Sequence, residues 1–249
     1  MKVFDETNIG RRTSNQDKVA IVNTRGGQLL ALVCDGMGGH NSGELASKIV
    51  CEYLVDCFKM MPGFISSEEA KSWLKDAIKE ANQVTKRQAQ TSPLHAGMGT
   101  TIVVALIYQD KVYVGNIGDS RCYHIHHEIT QLTDDDTFVN ELIKSGVISK
   151  EEAKFHPKRN VLMKAVGINE KIEVFIQEYS LKPGYLLLCS DGLYNAVSDE
   201  QIREIVMSKG TVANKCHCLI QLALKQNGSD NISVTLIEVE GGDLNAKSK

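Results

Sequence analysis

The chain has 249 residues with 42% hydrophobic content and a formal net charge of −3, which is enough apolar material for a substantial core. Its 28 Lys and Arg residues are scattered and no apolar run approaches the roughly 20 residues that span a bilayer, so neither nucleic-acid binding nor membrane insertion is expected. The polar amino-terminal segment lacks the apolar core of a secretory signal, and the seven dispersed cysteines are typical of a reducing compartment, so the sequence predicts a cytoplasmic protein.

β-Strands are predicted wherever short apolar runs are bounded by turn residues. A first hairpin has Arg25-Gly26-Gly27 as its turn, and a second has Gln109-Asp110-Lys111. The segment that follows the second hairpin is expected to extend it into a meander. The predicted strands cover residues 19–24, 28–34, 101–108, 112–117, 121–125, 129–132, 172–178, 185–190 and 232–239.

Helices are predicted where apolar residues recur at three- and four-residue spacing. They cover residues 43–59, 68–90, 199–209 and 212–226, with Ser66 or Ser67 as the cap of the second. Several strands, such as LLALV, TIVVALI and YLLLC, are apolar on both faces, so both faces must be covered. Because the connections are largely hairpins, we expect an α+β fold in which two antiparallel sheets form a central sandwich with helices on both outer faces.

Five aspartates each lie at the end of an apolar strand or in a glycine-bearing turn: Asp17, Asp35, Asp119, Asp191 and Asp230. Mg²⁺ and Mn²⁺ favour carboxylate, carbonyl and water oxygens, so acidic residues without neighbouring histidine or cysteine ligands indicate these ions rather than zinc. Any one Asp-Gly pair taken alone is more often an ordinary turn. The set together predicts a site for hard cations.

Seven motifs in order, RRTSNQD, CDGMGGHNSGELAS, GMGTT, GNIGDSR, HPKRNVL, CSDGLYNAV and GSDNISV, resemble those of the type-2C metal-dependent protein phosphatases. The match runs from about residue 5 to residue 238. The resemblance implies the same two-sheet sandwich, with metals at one rim. It also implies a single catalytic domain over residues 1–240, followed by a flexible tail at 241–249.

The resemblance further assigns roles to individual residues. Asp35 is expected to bridge two Mn²⁺ or Mg²⁺ ions while the carbonyl of Gly36 ligates one, and Asp191 and Asp230 are expected to complete the first shell. Asp17 corresponds to the aspartate that helps hold the second ion through water. Asp119, with Asp191, resembles the pair that binds a weaker third ion. Arg12 matches the phosphate-binding arginine, whose planar fork can hold two phosphate oxygens.

The expected activity is hydrolysis of phosphoserine and phosphothreonine in proteins by direct attack of a metal-bridging water or hydroxide. An opposing Ser/Thr kinase is implied by the resemblance, and we expect a monomer. The alternative is a phosphatase-like module that binds phosphoprotein without turnover, as happens when such a fold loses metal ligands. The retained aspartates favour the enzyme.

Two positions depart from the pattern of the animal members. Met37 replaces a histidine that is a candidate general acid, so we hypothesise that a metal-bound water protonates the leaving group. Gln16 replaces a metal-binding glutamate, which leaves Asp17 as the expected link to the second ion. His40 is nearby and is as compatible with bracing the loop as with proton transfer.

Weaker signals lie elsewhere in the chain. Residues 134–158 correspond to a mobile flap that borders the active site in this family. Asp134–Asp136 within it favour a solvated acidic turn over a further cation site. A zinc site is not expected at His124, His126 and His127, which favour an exposed hairpin, and the Cys216–Cys218 segment is assigned to core packing.

Overall fold

The computed structural model describes residues 1–24, 26–39, 42–226 and 228–240. In chain order, the strands of these residues are β1 (Lys2–Asn8), β2 (Asp17–Asn23), β3 (Leu29–Met37), β4 (Gly99–Thr100), β5 (Ile102–Tyr108), β6 (Lys111–Ile117), β7 (Arg121–Ile125), β8 (Ile129–Gln131), β9 (Ile176–Ser180), β10 (Gly184–Cys189) and β11 (Ile232–Val239). The helices are α1 (Ser42–Met60), α2 (Ser67–Ala89), α3 (Phe138–Lys144), α4 (Lys150–Lys154), α5 (Asp191–Tyr194), α6 (Asp199–Met207) and α7 (Val212–Gln226), with a 3₁₀ turn at Pro93–His95.

The strands form two antiparallel sheets. One has the strand order β1-β11-β10-β7-β8, and the other has the order β2-β3-β5-β6-β9 with β4 paired to β3. Tight turns connect β5 to β6, where Gln109 takes a left-handed conformation with φ 56°, and join β7 to β8. The hairpins therefore keep sequence neighbours adjacent within each sheet.

Apolar side chains fill three layers, which accounts for strands that are hydrophobic on both faces. Side chains such as Val33, Val103 and Leu188 pack between the two sheets. The opposite face of the second sheet is covered by α1 and α2, with Leu54 and Leu74 in the contact. The opposite face of the first sheet is covered by α6 and α7. The predicted α+β arrangement of helix, sheet, sheet and helix is confirmed.

Local signals placed several helix ends correctly. Ser66 caps α2 by accepting a hydrogen bond from the Glu69 backbone N–H at 3.1 Å, which decides between the two serines suggested by the sequence. Ser198 and Gln201 form a capping box at the start of α6. The bounds of α7 agree with the predicted helix. No helix in the described part of the chain is long and apolar enough to cross a membrane.

Three predictions about the strands were wrong. The strand β1 was not predicted, because its alternating charged residues resemble a surface segment until it pairs with β11. The meander does not continue past β6, since the chain turns at Gly118 (φ 98°) and β7 pairs with β10 in the other sheet. Residues 172–175 are not a strand, although Ile172 and Val174 are buried, because burial alone does not require strand pairing. The expected tail at 241–249 and Arg25 of the first predicted turn lie outside the described residues.

Candidate active site

The five aspartates come from five different parts of the fold. Asp17 begins β2 and Asp35 lies near the end of β3, and the antiparallel register places these two residues opposite each other. Asp119 is in the turn between β6 and β7, Asp191 is the first residue of α5 directly after β10, and Asp230 precedes β11. All of these positions lie at one end of the sandwich.

A cavity of about 580 Å³ opens at this end. Four of the aspartates line it, and Asp17 lies behind the others with only 1% of its surface exposed. The remaining lining includes Arg12, Gln16, Gly36, Met37, Thr101, Asn160, Leu162 and Asn231. The structure therefore brings together the residues that the sequence singled out.

Burial and neighbouring negative charges raise the pKa values of Asp17, Asp35, Asp119 and Asp191. Burial, together with the charges of Asp17 and Asp191, holds the pKa of Asp35 well above its ordinary value. Burial is also the main cause at Asp191, whose pKa rises to about 8, and at Asp119, whose pKa rises to about 6. Such a concentration of buried and half-buried acids disfavours negative charge unless positive charge is added.

The donor set fits divalent cations. Asp17 Oδ1 and Asp191 Oδ1 are buried and have no hydrogen-bond partner, so each carboxylate has one unsatisfied acceptor oxygen. Like charges directly opposite on paired strands, as at Asp17 and Asp35, are destabilising without a cation or proton between them. Among the described residues no three acidic, histidine or cysteine side chains already converge tightly enough to enclose an ion.

Two of the carboxylates accept hydrogen bonds from protein donors at the site. Asp230 Oδ2 accepts a hydrogen bond from Arg12 Nη2 at 2.7 Å, and Asp191 Oδ2 accepts one from Asn195 Nδ2 at 3.0 Å. A cation would compete with these donors for the same oxygens.

Arg12 lies at the mouth of the cavity. Its Nε donates to the Ser229 carbonyl at 3.1 Å, in addition to the ion pair with Asp230, and its side chain is 57% exposed. Asn231 holds the segment that carries Arg12, because its side chain bonds the Ile9 and Ser14 carbonyls, both at 2.9 Å. The guanidinium group therefore borders both the acidic cavity and solvent.

Gly36 is confined by backbone on two sides. A Cβ atom at this position would lie 2.1 Å from the Gly43 carbonyl oxygen and 2.7 Å from the Gln16 carbonyl oxygen. The glycine is therefore needed for the close approach of β3 to the start of α1. Met37 lines the cavity beside it, and a thioether cannot donate a proton. His40 lies outside the described residues.

Several residues that hold the aspartates were not singled out from the sequence. Thr101 Oγ1 accepts a hydrogen bond from the Asp35 backbone N–H at 3.0 Å. Ser190 Oγ donates to Asp17 Oδ2 at 2.8 Å, and Tyr194 OH donates to the Asp119 carbonyl at 3.0 Å. These residues lie within the GMGTT and CSDGLYNAV motifs. The motifs therefore indicated supporting hydroxyl groups as well as acidic residues.

Each residue of the triple aspartate in the predicted flap forms an ion pair, and for Asp134 the partner is Lys144, with Nζ 3.7 Å from Oδ2. Arg121 Nη2 donates to Asp135 Oδ2 at 2.7 Å, and Lys164 Nζ donates to Asp136 Oδ1 at 2.8 Å. The side chains of Asp135 and Asp136 are only 13% and 17% exposed, whereas that of Asp134 is 71% exposed. A solvated acidic turn was therefore the right prediction for Asp134 only. Tertiary partners that the local sequence did not reveal bind the other two.

The histidine-rich segment does not form a metal site in the described chain. His124 lies on β7 with Nε2 3.3 Å from the Pro183 carbonyl, whereas His126 follows the end of the strand and its ring contacts that of His127. Core packing is confirmed for Cys216, but Cys218 is exposed.

A two-sheet α+β sandwich that gathers five aspartates beside an arginine at one rim has the fold and site of a metal-dependent phosphatase. Residues 6–214 match the profile described as protein phosphatase 2C. The chain belongs to the protein phosphatase 2C family and is accordingly a phosphoprotein phosphatase.

Individual relatives agree with this assignment. The chain is similar to the serine/threonine phosphatase stp of Listeria monocytogenes, with 39% identity over 236 residues that cover 93% of each chain. It is also similar to the crystal structure of the serine/threonine phosphatase Stp1 from Staphylococcus aureus, with a TM-score of 0.92, 37% identity and coverage of 96% of this chain and 95% of that one. A third relative is the catalytic domain of the serine threonine protein phosphatase PstP, solved in complex with two manganese ions, with a TM-score of 0.83, 34% identity and coverage of 95% and 97%.

Proposed function

We propose that this phosphatase removes phosphate from phosphoserine and phosphothreonine residues by direct attack of water, without a phosphoenzyme. The observation that carries the proposal is the convergence of Asp35, Asp119, Asp191 and Asp230 on one cavity with Arg12 at its mouth. Carboxylates clustered in one cavity in this way are suited to hold Mn²⁺ or Mg²⁺ rather than to act as independent acids and bases.

The aspartates supply the oxygens for these ions. Asp35 is proposed to contact two cations, with the Gly36 carbonyl, Asp191 and Asp230 around the first and Asp17 at the second. Asp119 and Asp191 are proposed to hold a weaker third ion. When bound, paired divalent cations lower the pKa of a water molecule and offset the charge of the phosphoryl group.

Arg12 is proposed to orient the phosphate ester. Its guanidinium group is planar and can donate two parallel hydrogen bonds to phosphate oxygens, a geometry that lysine cannot provide. The bonds to Ser229 and Asp230 keep the group at the rim of the cavity, where a phosphorylated side chain enters. Positioning of this kind lowers the entropic part of the barrier to in-line attack.

The proton for the leaving group is proposed to come from water in the acidic cavity, because Met37 stands where a proton-donating histidine acts in animal members. His40 can be tested directly. A His40→Ala variant with unchanged activity and pH profile would remove it from consideration, whereas loss of the basic limb of the profile would support a proton-donor role.

The substrates are phosphoproteins, and we propose that an opposing Ser/Thr kinase in the cytoplasm supplies them. Residues 1–240 are proposed to act as one monomeric catalytic domain. The proposed flap, residues 134–158, is followed directly by Asn160 and Leu162, which line the cavity. This location supports a part for the flap in substrate contact.

The test is phosphate release from a phosphothreonine peptide with Mn²⁺, compared with EDTA and with Asp191→Ala. We expect release that depends on Mn²⁺ and is lost in the variant. Asp110→Ala is a matched control, because Asp110 is an exposed aspartate in the β5–β6 turn. Peptide binding without release under any metal condition would favour a module that binds phosphoprotein without turnover, and release in EDTA would exclude the proposed chemistry.

A further inference from the structure

Ser190 occupies the N-cap position of α5 but does not cap the helix. Its backbone is extended, with φ −78° and ψ 169°, as is usual for an N-cap residue, yet its side chain makes no cap hydrogen bond. The hydroxyl is completely buried and lies 2.8 Å from Asp17 Oδ2. The usual capping role of this serine is therefore replaced by a contact with the acidic cluster.

The direction of this hydrogen bond is determined by a second contact. Ser190 Oγ accepts the backbone N–H of Ser233 at 3.0 Å, so the single hydroxyl hydrogen remains for Asp17. The Ser190 backbone N–H in turn donates to the Ser233 carbonyl at 3.1 Å, which fixes the residue from both sides. Ser190 can therefore act as a rigid donor to one oxygen of the Asp17 carboxylate.

The other carboxylate oxygen of Asp17 does not accept a hydrogen bond. Asp17 Oδ1 is buried and has no hydrogen-bond partner, while the Asp17 backbone N–H donates to Asn15 Oδ1 at 3.1 Å. Ser190 donates directly to the carboxylate through Oδ2, and the neighbouring Ser233 side chain also lowers the pKa of Asp17. The contact spans 173 residues of sequence and joins the end of β10 in one sheet to the start of β2 in the other.

We propose that Ser190 is a positioning residue that orients Asp17 so that Oδ1 faces the second cation position shared with Asp35. The inference rests on the proposed role of Asp17 in cation binding. Partners that orient a metal-binding carboxylate commonly affect affinity nearly as strongly as the ligands themselves.

The test is Mn²⁺ binding to Ser190→Ala, measured by isothermal titration calorimetry and by the electron paramagnetic resonance signal of free Mn²⁺. We expect the affinity for one of the ions to fall about 10–100-fold while the other is unchanged. The KM for a phosphothreonine peptide should stay the same at saturating Mn²⁺, because Arg12 is untouched. Thr85→Ala is the matched control, since it removes an equally buried hydroxyl that donates to the Ala81 carbonyl at 2.9 Å in α2.

A double-mutant cycle separates positioning from a general loss of stability. In an Asp17→Asn background, Ser190→Ala should change Mn²⁺ affinity less than about twofold, because the residue that it orients has lost its charge. Thermal unfolding in EDTA reports any structural cost independently. Should Ser190→Ala not fold, Ser190→Cys keeps a weaker donor of similar size and should show an intermediate affinity.

The outcomes are distinguishable. Wild-type affinities for all ions in Ser190→Ala, or an equal loss with and without the Asp17 charge, would overturn the role of Ser190 and leave the proposed function intact. Wild-type protein that binds no Mn²⁺ and releases no phosphate would overturn the proposed function, and the role of Ser190 with it.

Discussion

Replacing Asp17 by asparagine is expected to stabilise the metal-free protein and to weaken its response to Mn²⁺. Asp17 is 1% exposed and lies opposite Asp35 in the β2–β3 ladder. Burial is the main reason that its pKa is raised from 3.8 to about 6, and the charge of Asp230 adds to the rise. The charged form is therefore less favourable in the folded chain than in the unfolded chain.

The magnitude follows from proton linkage. A rise from 3.8 to about 6 corresponds to a loss of about 3 kcal/mol of stability when the carboxyl is ionised. This loss is a net value, because the hydrogen bond from Ser190, which favours the ionised carboxyl, is already included in the raised pKa. Asparagine removes the charge, so we expect the free energy of unfolding in EDTA at pH 7.5 to increase by about 3 kcal/mol.

The stability of the wild type relative to the Asp17→Asn variant should fall as the pH rises. Below pH 3.8 the carboxyl is protonated in both states, so the repulsive contribution is absent. As the pH rises from 3.8 to about 6, the unfolded chain loses its proton first and the wild type loses stability relative to the Asp17→Asn variant; above that window the difference is constant. Urea unfolding at pH 4 and at pH 7.5 measures the change.

At saturating Mn²⁺ the wild type should be more stable than the Asp17→Asn variant. An ion at about a thousand times its Kd stabilises the folded state by about 4 kcal/mol, and the variant is expected to lose most of one such contribution. Asp134→Asn is the control, since that side chain is 71% exposed. The reasoning would be refuted if the Asp17→Asn variant were less stable than wild type in EDTA at pH 7.5, or if its advantage were the same at pH 4.

Three further substitutions test other parts of the site and the core. Arg12→Ala should raise the KM for a phosphopeptide about 10-fold or more with a smaller effect on kcat, and steady-state kinetics showing unchanged KM with collapsed kcat would contradict its proposed role. Gly36→Ala should lower both Tm and activity because its Cβ would lie 2.1 Å from a carbonyl oxygen, whereas Gly39→Ala, with nothing within 4 Å, should alter neither; equal effects would be inconsistent with this packing. Leu54→Ala, at a fully buried position, should cost about 2–5 kcal/mol in urea unfolding with Mn²⁺ affinity unchanged, and a loss below about 1 kcal/mol would contradict the assigned core.

Much of the architecture could be predicted from local sequence. Strands that are apolar on both faces must be covered on both faces, and this requirement led directly to paired sheets between helical layers. The positions of Asp35 and Asp191 after apolar runs likewise placed them at strand ends. These features depend on residues close together in sequence, whose hydrophobic pattern is present before any tertiary contact forms.

Other features depended on contacts between distant segments. The sequence did not show that β7 leaves the second sheet, that Asp135 pairs with Arg121, or that Ser190 donates to Asp17. Each of these outcomes is one of several pairings that local patterning permits, and the choice among them is made by burial and hydrogen bonding in the complete fold. The sequence by itself therefore determined which acids the site contains, whereas only the tertiary structure decided how they are oriented, because orientation is set by partners up to 218 residues away, as for Arg12 and Asp230.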